Sequence, residues 1–311
     1  MEYAKNNDIH EIGICSAKPF LHIKNRFEER KKEGYLTGFE YDNLDEMIYP
    51  ELSLDGAKSI VVMLEKYRKE SKYISKSSVG RDYHLIVKDK FEKLEEYLNE
   101  MGIKTKSFVD TGPLLERELA LRAGLGFIGK NNNFISYKNG SYVFIGYIII
   151  DKEIEVSDVL ANPDECGECN RCINSCPSKA LVGEYKLNGQ KCMSYISQKK
   201  DCIRVFEDKI INIYGCDICQ DVCPYNKDIK FDKVEDIDLE FLINMTNVEF
   251  KENFKNMAAG WRGKNLLKRN AAYVILNKKI ENKYKVLDEI LKMDVKIFDE
   301  VKEYIKKKRV K

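Results

Sequence analysis

Nine of the ten cysteines in this 311-residue chain lie between positions 166 and 223, and their spacing limits the possible folds more than any other feature. The first run, C-x2-C-x2-C-x3-C-P, consists of Cys166, Cys169, Cys172, Cys176 and Pro177. The second run, C-x2-C-x3-C-P, lacks a leading cysteine and consists of Cys216, Cys219, Cys223 and Pro224. In a chain without a secretion signal, such clustering favours metal ligation over disulfides.

The first run matches that of bacterial ferredoxins with two clusters, in which the cysteine before the proline ligates the other cluster. The spacing therefore predicts two [4Fe–4S] clusters, with Cys192 completing the second run. The first cysteine set is Cys166, Cys169, Cys172 and Cys223. The second cysteine set is Cys192, Cys216, Cys219 and Cys176. A pair of zinc knuckles is the alternative, but zinc gives no reason for two C-P endings with x3 spacing. Cys15 and Cys202 keep no ligand spacing and are expected to be ordinary thiols.

The rest of the chain predicts an α+β protein in three parts. Residues 1–160 indicate an α/β domain, with strands at 12–14, 59–64 and 106–109 and helices at 83–100 and 113–123. Segments 133–136 and 142–150 are expected to form a hairpin around Lys138-Asn139-Gly140. Residues 161–230 form the ferredoxin-like double-cluster domain, and 231–311 have helical periodicity.

The overall charge excludes little. Lys+Arg number 53 and Asp+Glu 51, a net charge of +2, so any nucleic-acid contact must come from local patches. The N-terminus has no apolar core of signal-peptide type. The longest apolar run, 142–150, is far shorter than the roughly 20 residues that span a bilayer. We expect a cytoplasmic protein with no membrane contact.

Two motifs point to other cofactors, and their context argues against both. Residues 124–129 fit G-x-G-x-x-G, but a predicted helix enters this segment and an extended segment leaves it, the reverse of a dinucleotide-binding turn. Gly124 instead fits a left-handed helix C-cap. Asp8, His10 and Gly13 fit D-x-H-x-x-G, a signature for histidine-ligated cobalamin, but no Rossmann-like module follows. His10 is expected at the surface.

Three stretches together resemble the epoxyqueuosine reductase (QueG) family. They are GRDYH at 80–84; DTGPLLER at 110–117 with GLGFIGKN at 124–131; and the cysteine sets with KCMSY at 191–195 and IYGCD at 213–217. RNAA at 269–272 extends the resemblance into the helical tail. This chain departs from the family at Thr111-Gly112, where Ser-Ala or Ser-Gly is common, and at Tyr147, where a carboxylate is common. These departures bear on the substrate.

The resemblance implies a reductase with two [4Fe–4S] clusters and base-off cobalamin without a histidine ligand. The α/β domain would bind cobalamin, and the tail would be HEAT-like and help to hold tRNA. The reaction would convert epoxyqueuosine to queuosine at the wobble position of tRNA. Partners would be the anticodon loop of a queuosine-type tRNA and an unidentified low-potential electron donor, and the protein is expected to be a monomer.

Co(I) is a strong nucleophile that can open the epoxide at carbon, and the oxygen then needs a proton donor. Asp110 is the candidate. With Pro113 at the first helical position, the N-cap falls at Gly112, so Asp110 is free of a capping role. Burial beside the corrin is expected to raise the pKa of Asp110. The candidate cofactor contacts are Tyr83, His84, Asp110, Phe134, Ile145 and Ser194, with Phe134 and Ile145 on the two hairpin strands.

The tail offers a basic patch for RNA phosphates, against the alternative of a solvated lysine face. Its residues are Trp261, Arg262, Lys264, Lys268 and Arg269. Two rival functions remain open: a corrinoid reductase of reductive-dehalogenase type acting on a small molecule, and an electron-transfer module without a substrate pocket.

Overall fold

The computed structural model describes residues 3, 6, 7, 9 and 11–309; His10 lies outside them. The strands are β1 (Glu11–Ser16), β2 (Ser59–Lys66), β3 (Lys69–Glu70), β4 (Thr105–Val109), β5 (Gly126–Ile128), β6 (Phe134–Ser136), β7 (Val143–Ile150), β8 (Leu181–Gly183), β9 (Lys186–Leu187) and β10 (Asp232–Lys233). The helices are α1 (His22–Lys32), α2 (Leu44–Ile48), α3 (Tyr83–Glu100), α4 (Glu116–Arg122), α5 (Arg171–Ser175), α6 (Met193–Ile196), α7 (Ile218–Asp221), α8 (Leu239–Asn244), α9 (Asn247–Phe254), α10 (Lys264–Asn277), α11 (Leu287–Lys292) and α12 (Asp299–Arg309).

A four-stranded antiparallel sheet, in the order β1-β2-β7-β4, organises the N-terminal half. Because side chains alternate between faces along a strand, β2 divides its residues between two cores. Ile60 and Val62 pack in a core with α1, α2 and α4, while Val61 and Met63 pack with α3. Strand β7 is buried on both faces from Ile145 to Ile150, which explains why its sequence is a continuous apolar run.

Helix α3 has the predicted bounds, 83–100. The Asp82 side chain caps it by accepting a hydrogen bond from the His84 N–H at 3.0 Å. Val87, Phe91 and Leu94 form its buried face. This helix therefore fixes its first two residues, Tyr83 and His84, beside the end of the sheet.

The predicted hairpin is wrong. Strand β6 pairs with β5, and β7 pairs with β2 and β4, so the turn between β6 and β7 closes only an isolated bridge from Ser136 to Gly140. The local turn signal was right, but the long apolar β7 has more surface to bury in the central sheet than against the three-residue β6.

A helix enters the glycine-rich turn and a strand leaves it, as predicted. Helix α4 ends at Arg122, Gly124 adopts φ 72°, and its N–H donates to the Leu121 carbonyl at 2.9 Å. Strand β5 follows directly. Helix, left-handed glycine and strand is the order of a helix C-terminus, not of a dinucleotide site.

The cysteine-rich segment and the C-terminal helices share one hydrophobic core. Met193, Ile203 and Ile213 pack in the same cluster as α8, α10, α11 and α12, so this core crosses the predicted boundary at residue 230. Helix α10 is its centre, with every residue from Leu266 to Leu276 buried. Asn270 in this helix is fully buried and donates to the carbonyls of Ser197 at 2.6 Å and Ile213 at 2.8 Å.

Within the described part of the chain, none of the helices combines the length and apolar character needed to cross a membrane.

Candidate active site

Two large cavities share Tyr83 and Asp110 in their walls. The first cavity, of about 610 Å³, lies between the sheet and the cysteine-rich segment. The second cavity, of about 1020 Å³, lies between residues 39–43, the start of α3 and a wall that includes Tyr214 and Trp261. Tyr83 is the first residue of α3, and Asp110 follows the last residue of β4. A helix and a strand therefore position the two residues that both cavities share.

The first cavity brings most of the sequence-predicted site residues together. Phe134 and Ile145 contribute apolar wall, and Tyr83, Asp110 and Ser194 also line it. All four cysteines of the second cysteine set line the same cavity. The Asn133 side-chain amide is 3.6 Å from the Cys219 Sγ. Asn132 also lines the cavity, and its buried amide nitrogen has no hydrogen-bond partner.

The first cysteine set surrounds a separate, smaller cavity of about 300 Å³. Its four cysteines line it together with Ile135, Pro224 and Tyr225. The eight cysteines of the two sets form no disulfide bonds. Cys15 is buried and Cys202 exposed, and neither lines these cavities. Among the residues that the structure describes, no three His, Cys, Asp or Glu side chains are placed to hold a single metal ion.

The predicted helix start at Pro113 is wrong, because the loop that carries Asp110 is held by other elements. Helix α4 begins at Glu116 with Leu115 as N-cap. The Leu114 N–H donates to the Tyr147 hydroxyl at 3.2 Å instead of to a helix partner. The Asp110 N–H donates to the Glu116 carboxyl at 2.5 Å. Asp110 therefore has no capping role, as predicted, although the cap is not Gly112.

Tyr147, one departure from the family pattern, packs against Gly112, the residue that follows the other departure, Thr111. A Cβ at position 112 would collide with the Tyr147 hydroxyl and with the Phe108 side chain. Because glycine has no Cβ, position 112 leaves room for the Tyr147 side chain. The Tyr147 hydroxyl accepts a hydrogen bond from the Leu114 N–H and so holds the loop backbone in place.

The expected rise in the pKa of Asp110 is contradicted. Burial acts to raise this pKa, but hydrogen bonds from His84 and Tyr83 and the charge of His84 outweigh it and hold the pKa below its ordinary value. His84 lies with Nε2 3.4 Å from the Asp110 Oδ2 and Nδ1 2.7 Å from the Asp82 Oδ1. Its hydrogen bond to Asp110 outweighs burial and, with the bond to Asp82, raises the pKa of His84 to about 9.

His84 lines the second cavity and not the first. The walls of the second cavity are otherwise aromatic and acidic, with Phe39, Tyr41, Tyr214, Trp261, Asp42 and Asp82 among its residues. Trp261 is 60% exposed, donates to the Tyr214 hydroxyl at 2.8 Å and has the Arg262 guanidinium over its ring. The ring of Phe39 contacts Trp261 edge-on.

The predicted basic patch is wrong for two of its residues. Lys268 is buried and donates to the Met245 carbonyl at 2.9 Å, and Arg269 is buried and donates to Asn270. Because α10 lies at the centre of the C-terminal hydrophobic core, the accessible residues of the predicted patch are Trp261, Arg262 and Lys264.

Glu116 and Phe39 were missed by sequence reasoning. Glu116 lies in the DTGPLLER stretch, six residues after Asp110, but its contact depends on where α4 begins. Phe39 lies in a segment without periodicity, and its position at the second cavity depends on long-range packing against Tyr195 and Trp261.

Comparison with known proteins agrees with this architecture. A family model described as 4Fe-4S double cluster binding domain matches residues 165–226, and one described as Epoxyqueuosine reductase QueG, DUF1730 matches residues 48–111. The epoxyqueuosine reductase of Lactococcus garvieae is 36% identical over 317 residues, covering 94% of this chain and 90% of the relative.

Solved structures extend the likeness to the whole fold. An epoxyqueuosine reductase with an epoxyqueuosine-modified tRNA-Tyr stem loop is 33% identical, with a TM-score of 0.88 over 96% of this chain and 85% of that one. The Bacillus subtilis enzyme, with an aspartate-bearing catalytic loop swung out of its active site, is 33% identical, with a TM-score of 0.87 over 96% and 86%. A catabolic reductive dehalogenase, 16% identical with a TM-score of 0.50 over 90% of this chain and 35% of that one, shares the fold alone.

The fold and the double-cluster segment define an iron–sulfur oxidoreductase. The chain belongs to the epoxyqueuosine reductase (QueG) family, since a relative above 30% identity is covered over nine-tenths of its length.

Proposed function

We propose that this protein reduces epoxyqueuosine to queuosine at the wobble position of tRNA, with base-off cobalamin and two [4Fe–4S] clusters as cofactors. The observation that carries the proposal is the place of Asp110, where a cysteine-lined cavity meets an aromatic cavity. One side suits a redox cofactor, the other suits a nucleotide, and an acid–base group lies between them.

The cysteine sets fit the two clusters. Each set of four surrounds its own cavity, with the swap of Cys176 and Cys223 between sequence runs that two-cluster ferredoxins use. The second cysteine set would hold its cluster at the wall of the first cavity, which Asp110 also lines, and the first set would hold its cluster in the separate smaller cavity. The two clusters would supply electrons taken from a low-potential donor.

The first cavity fits cobalamin. Phe134 and Ile145 offer the apolar surface that a flat corrin needs, and the unpartnered amide of Asn132 can donate to a peripheral amide of the ring. When bound, cobalamin would supply a Co(I) nucleophile for the epoxide carbon. Tyr83, stacked on Phe144 with ring centroids 4.0 Å apart, forms a rigid wall at the side of Asp110.

The chain's own residues handle protons. Removal of the epoxide oxygen as water takes two electrons and two protons. Asp110 is the group at the junction, but its lowered pKa leaves it ionised at neutral pH before substrate binds. His84, whose pKa is about 9, holds a proton 3.4 Å away. We therefore assign His84 as the group that protonates Asp110 and Asp110 as the group that delivers each of the two protons to the oxygen, with the partly exposed His84 reprotonated from solvent between the transfers.

The second cavity would take the modified nucleotide. RNA-binding proteins recognise splayed bases by stacking on aromatic rings, and Phe39 and Trp261 offer such rings at this cavity, with the Arg262 guanidinium over the Trp261 ring. A structural neighbour carries an epoxyqueuosine-modified stem loop. A tRNA substrate is consistent with a cytoplasmic monomer whose helical tail, HEAT-like as the family resemblance implies, flanks the bound RNA.

The test is conversion of tRNA. The protein is purified without oxygen, loaded with cobalamin and given epoxyqueuosine-containing tRNA with a chemical reductant, and nucleosides are measured by mass spectrometry. We expect the loss of one oxygen from the modified nucleoside. If protein with both clusters and cobalamin leaves the tRNA unchanged and releases halide from an aryl halide, the reductive-dehalogenase alternative replaces the proposal.

A further inference from the structure

Asp110 has a backbone conformation that few non-glycine residues adopt. Its φ is 59°, in the left-handed region, where a non-glycine residue persists only when its surroundings hold it there. The conformation ends β4 abruptly and turns the side chain toward Tyr83 and His84. A loop in such a conformation needs a fixed partner.

Glu116 supplies that partner. Its carboxyl accepts the hydrogen bond from the Asp110 N–H at 2.5 Å. Glu116 is half-buried and is the first residue of α4, which packs on the central sheet, so its carboxyl is tied to the scaffold and not to the loop. The side chain of Asp110 is held independently by His84 and Tyr83.

We propose that Glu116 is a positioning residue for the reduction, holding the backbone of Asp110 so that its carboxylate faces the junction of the two cavities. This rests on the proposed role of Asp110 in proton delivery. Glu116 also lines the first cavity, but the role proposed here is exercised through the loop, by way of the Asp110 N–H.

The charge state of Glu116 suits this role. Burial, with the nearby charge of Asp110, raises the pKa of Glu116 to about 8. A neutral carboxyl accepts the N–H through its carbonyl oxygen without repelling the Asp110 carboxylate. Above pH 8 a second negative charge appears beside Asp110. The titratable and charged groups that surround Glu116 are Asp110 on the loop, Tyr83 and His84 on α3, Arg117 on α4 and Tyr147 on β7.

Two variants separate geometry from charge. Glu116→Ala removes the acceptor, and we expect kcat per bound cobalamin to fall about 10- to 100-fold, as misplacement of a catalytic group does, with KM for tRNA unchanged. Glu116→Gln keeps an acceptor oxygen but cannot ionise. We expect it to retain most of kcat at pH 7, and the alkaline fall in rate to move from about pH 8 toward the pKa of His84, about 9.

Glu118→Gln is the matched control. Glu118 lies on the same helix and is buried, but it binds His22 and Arg26 on the other side; we expect a lower Tm and an unchanged pH profile. The proposal is overturned if Glu116→Ala keeps the wild-type kcat, or if its kcat falls only in proportion to cobalamin loading. If Glu116→Ala does not fold, a wild-type pH profile in Glu116→Gln overturns it. An active Asp110→Asn variant would instead defeat the role of Asp110 itself.

Discussion

The two cavities that meet at Asp110 differ in what lines them. Both contain aromatic rings and carboxylates, but the first adds the second cysteine set, aliphatic side chains and three consecutive asparagines, while the second adds His84 and Trp261. The first is built from strands and the cysteine loops, the second from α3, the 39–43 segment and residues next to α10. This difference implies a division of labour: changes in the first cavity should alter cofactors, changes in the second should alter RNA binding, and changes at the shared wall should alter the chemical step.

The largest expected effect comes from the second cysteine set. Cys219→Ser and Cys169→Ser should each lower the iron content from about eight to about four per chain and abolish multiple turnover, since thiolates hold the clusters. Only Cys219→Ser should also change the spectrum of bound cobalamin, because Cys219 lines the first cavity and Cys169 does not. Iron analysis and visible spectroscopy check this. Equal spectral changes in both variants would contradict the separation of the cavities.

Asp110→Asn should lower kcat about 10²- to 10⁴-fold, the range for loss of a general acid or base. Cobalamin affinity and KM for tRNA should change little, since neither cavity loses its walls. Single-turnover kinetics measure the rate. Asp89→Asn, an exposed aspartate on α3 paired with Arg81, is the control and should behave as wild type.

Trp261→Ala should raise KM for tRNA roughly 5- to 150-fold, the equivalent of about 1–3 kcal/mol of base stacking, and leave kcat nearly unchanged. Phe241→Ala removes another exposed aromatic ring, one that lines neither cavity, and should have no such effect. Titration of tRNA at fixed salt measures both. A fall in kcat alone would place Trp261 on the chemical side of the junction.

The smallest expected effect is on one reduction potential. The Asn133 amide donates to the Cys219 Sγ, and an N–H directed at sulfur stabilises the reduced cluster. Asn133→Ala should therefore make the potential of the second cluster more negative. The first cluster in the same molecule is the control, and spectroelectrochemistry resolves the two. A shift of both potentials would mean that the amide acts through the fold.

Much of this site could be predicted from the sequence because ligand spacing and local periodicity are local signals. The spacing within each cysteine run, the bounds of α3 and the left-handed Gly124 all depend on residues close in the chain. Phe134 and Ile145 were predicted beside the cofactor as apolar residues of the expected hairpin, and Ser194 from its place two residues after Cys192; the structure brings all three into one cavity, although the hairpin itself is wrong.

The parts that could not be predicted depend on competition between distant partners. The sequence around Pro113 has helical propensity. In the structure, however, the Leu114 N–H donates to the Tyr147 hydroxyl and the Asp110 N–H donates to the Glu116 carboxyl, and the helix begins later than predicted. Burial alone would raise the pKa of Asp110; the direction was missed because His84, 26 positions earlier, lies beside it. Lys268 was predicted to contact RNA because helical periodicity identifies only one apolar face of α10. The fold buries every face of this helix between Leu266 and Leu276.

The two hydrogen bonds from Asn270 have a consequence for how the protein is made. The bonds fix the carbonyls of Ser197 and Ile213, which lead to Cys192 and Cys216 of the second cysteine set. Synthesis proceeds from the N-terminus, so every cysteine leaves the ribosome before Asn270 does. We therefore expect the second cysteine set to reach its final backbone arrangement only after the C-terminal helices have folded. A prematurely terminated chain would carry all the thiols but not the backbone that presents them to iron.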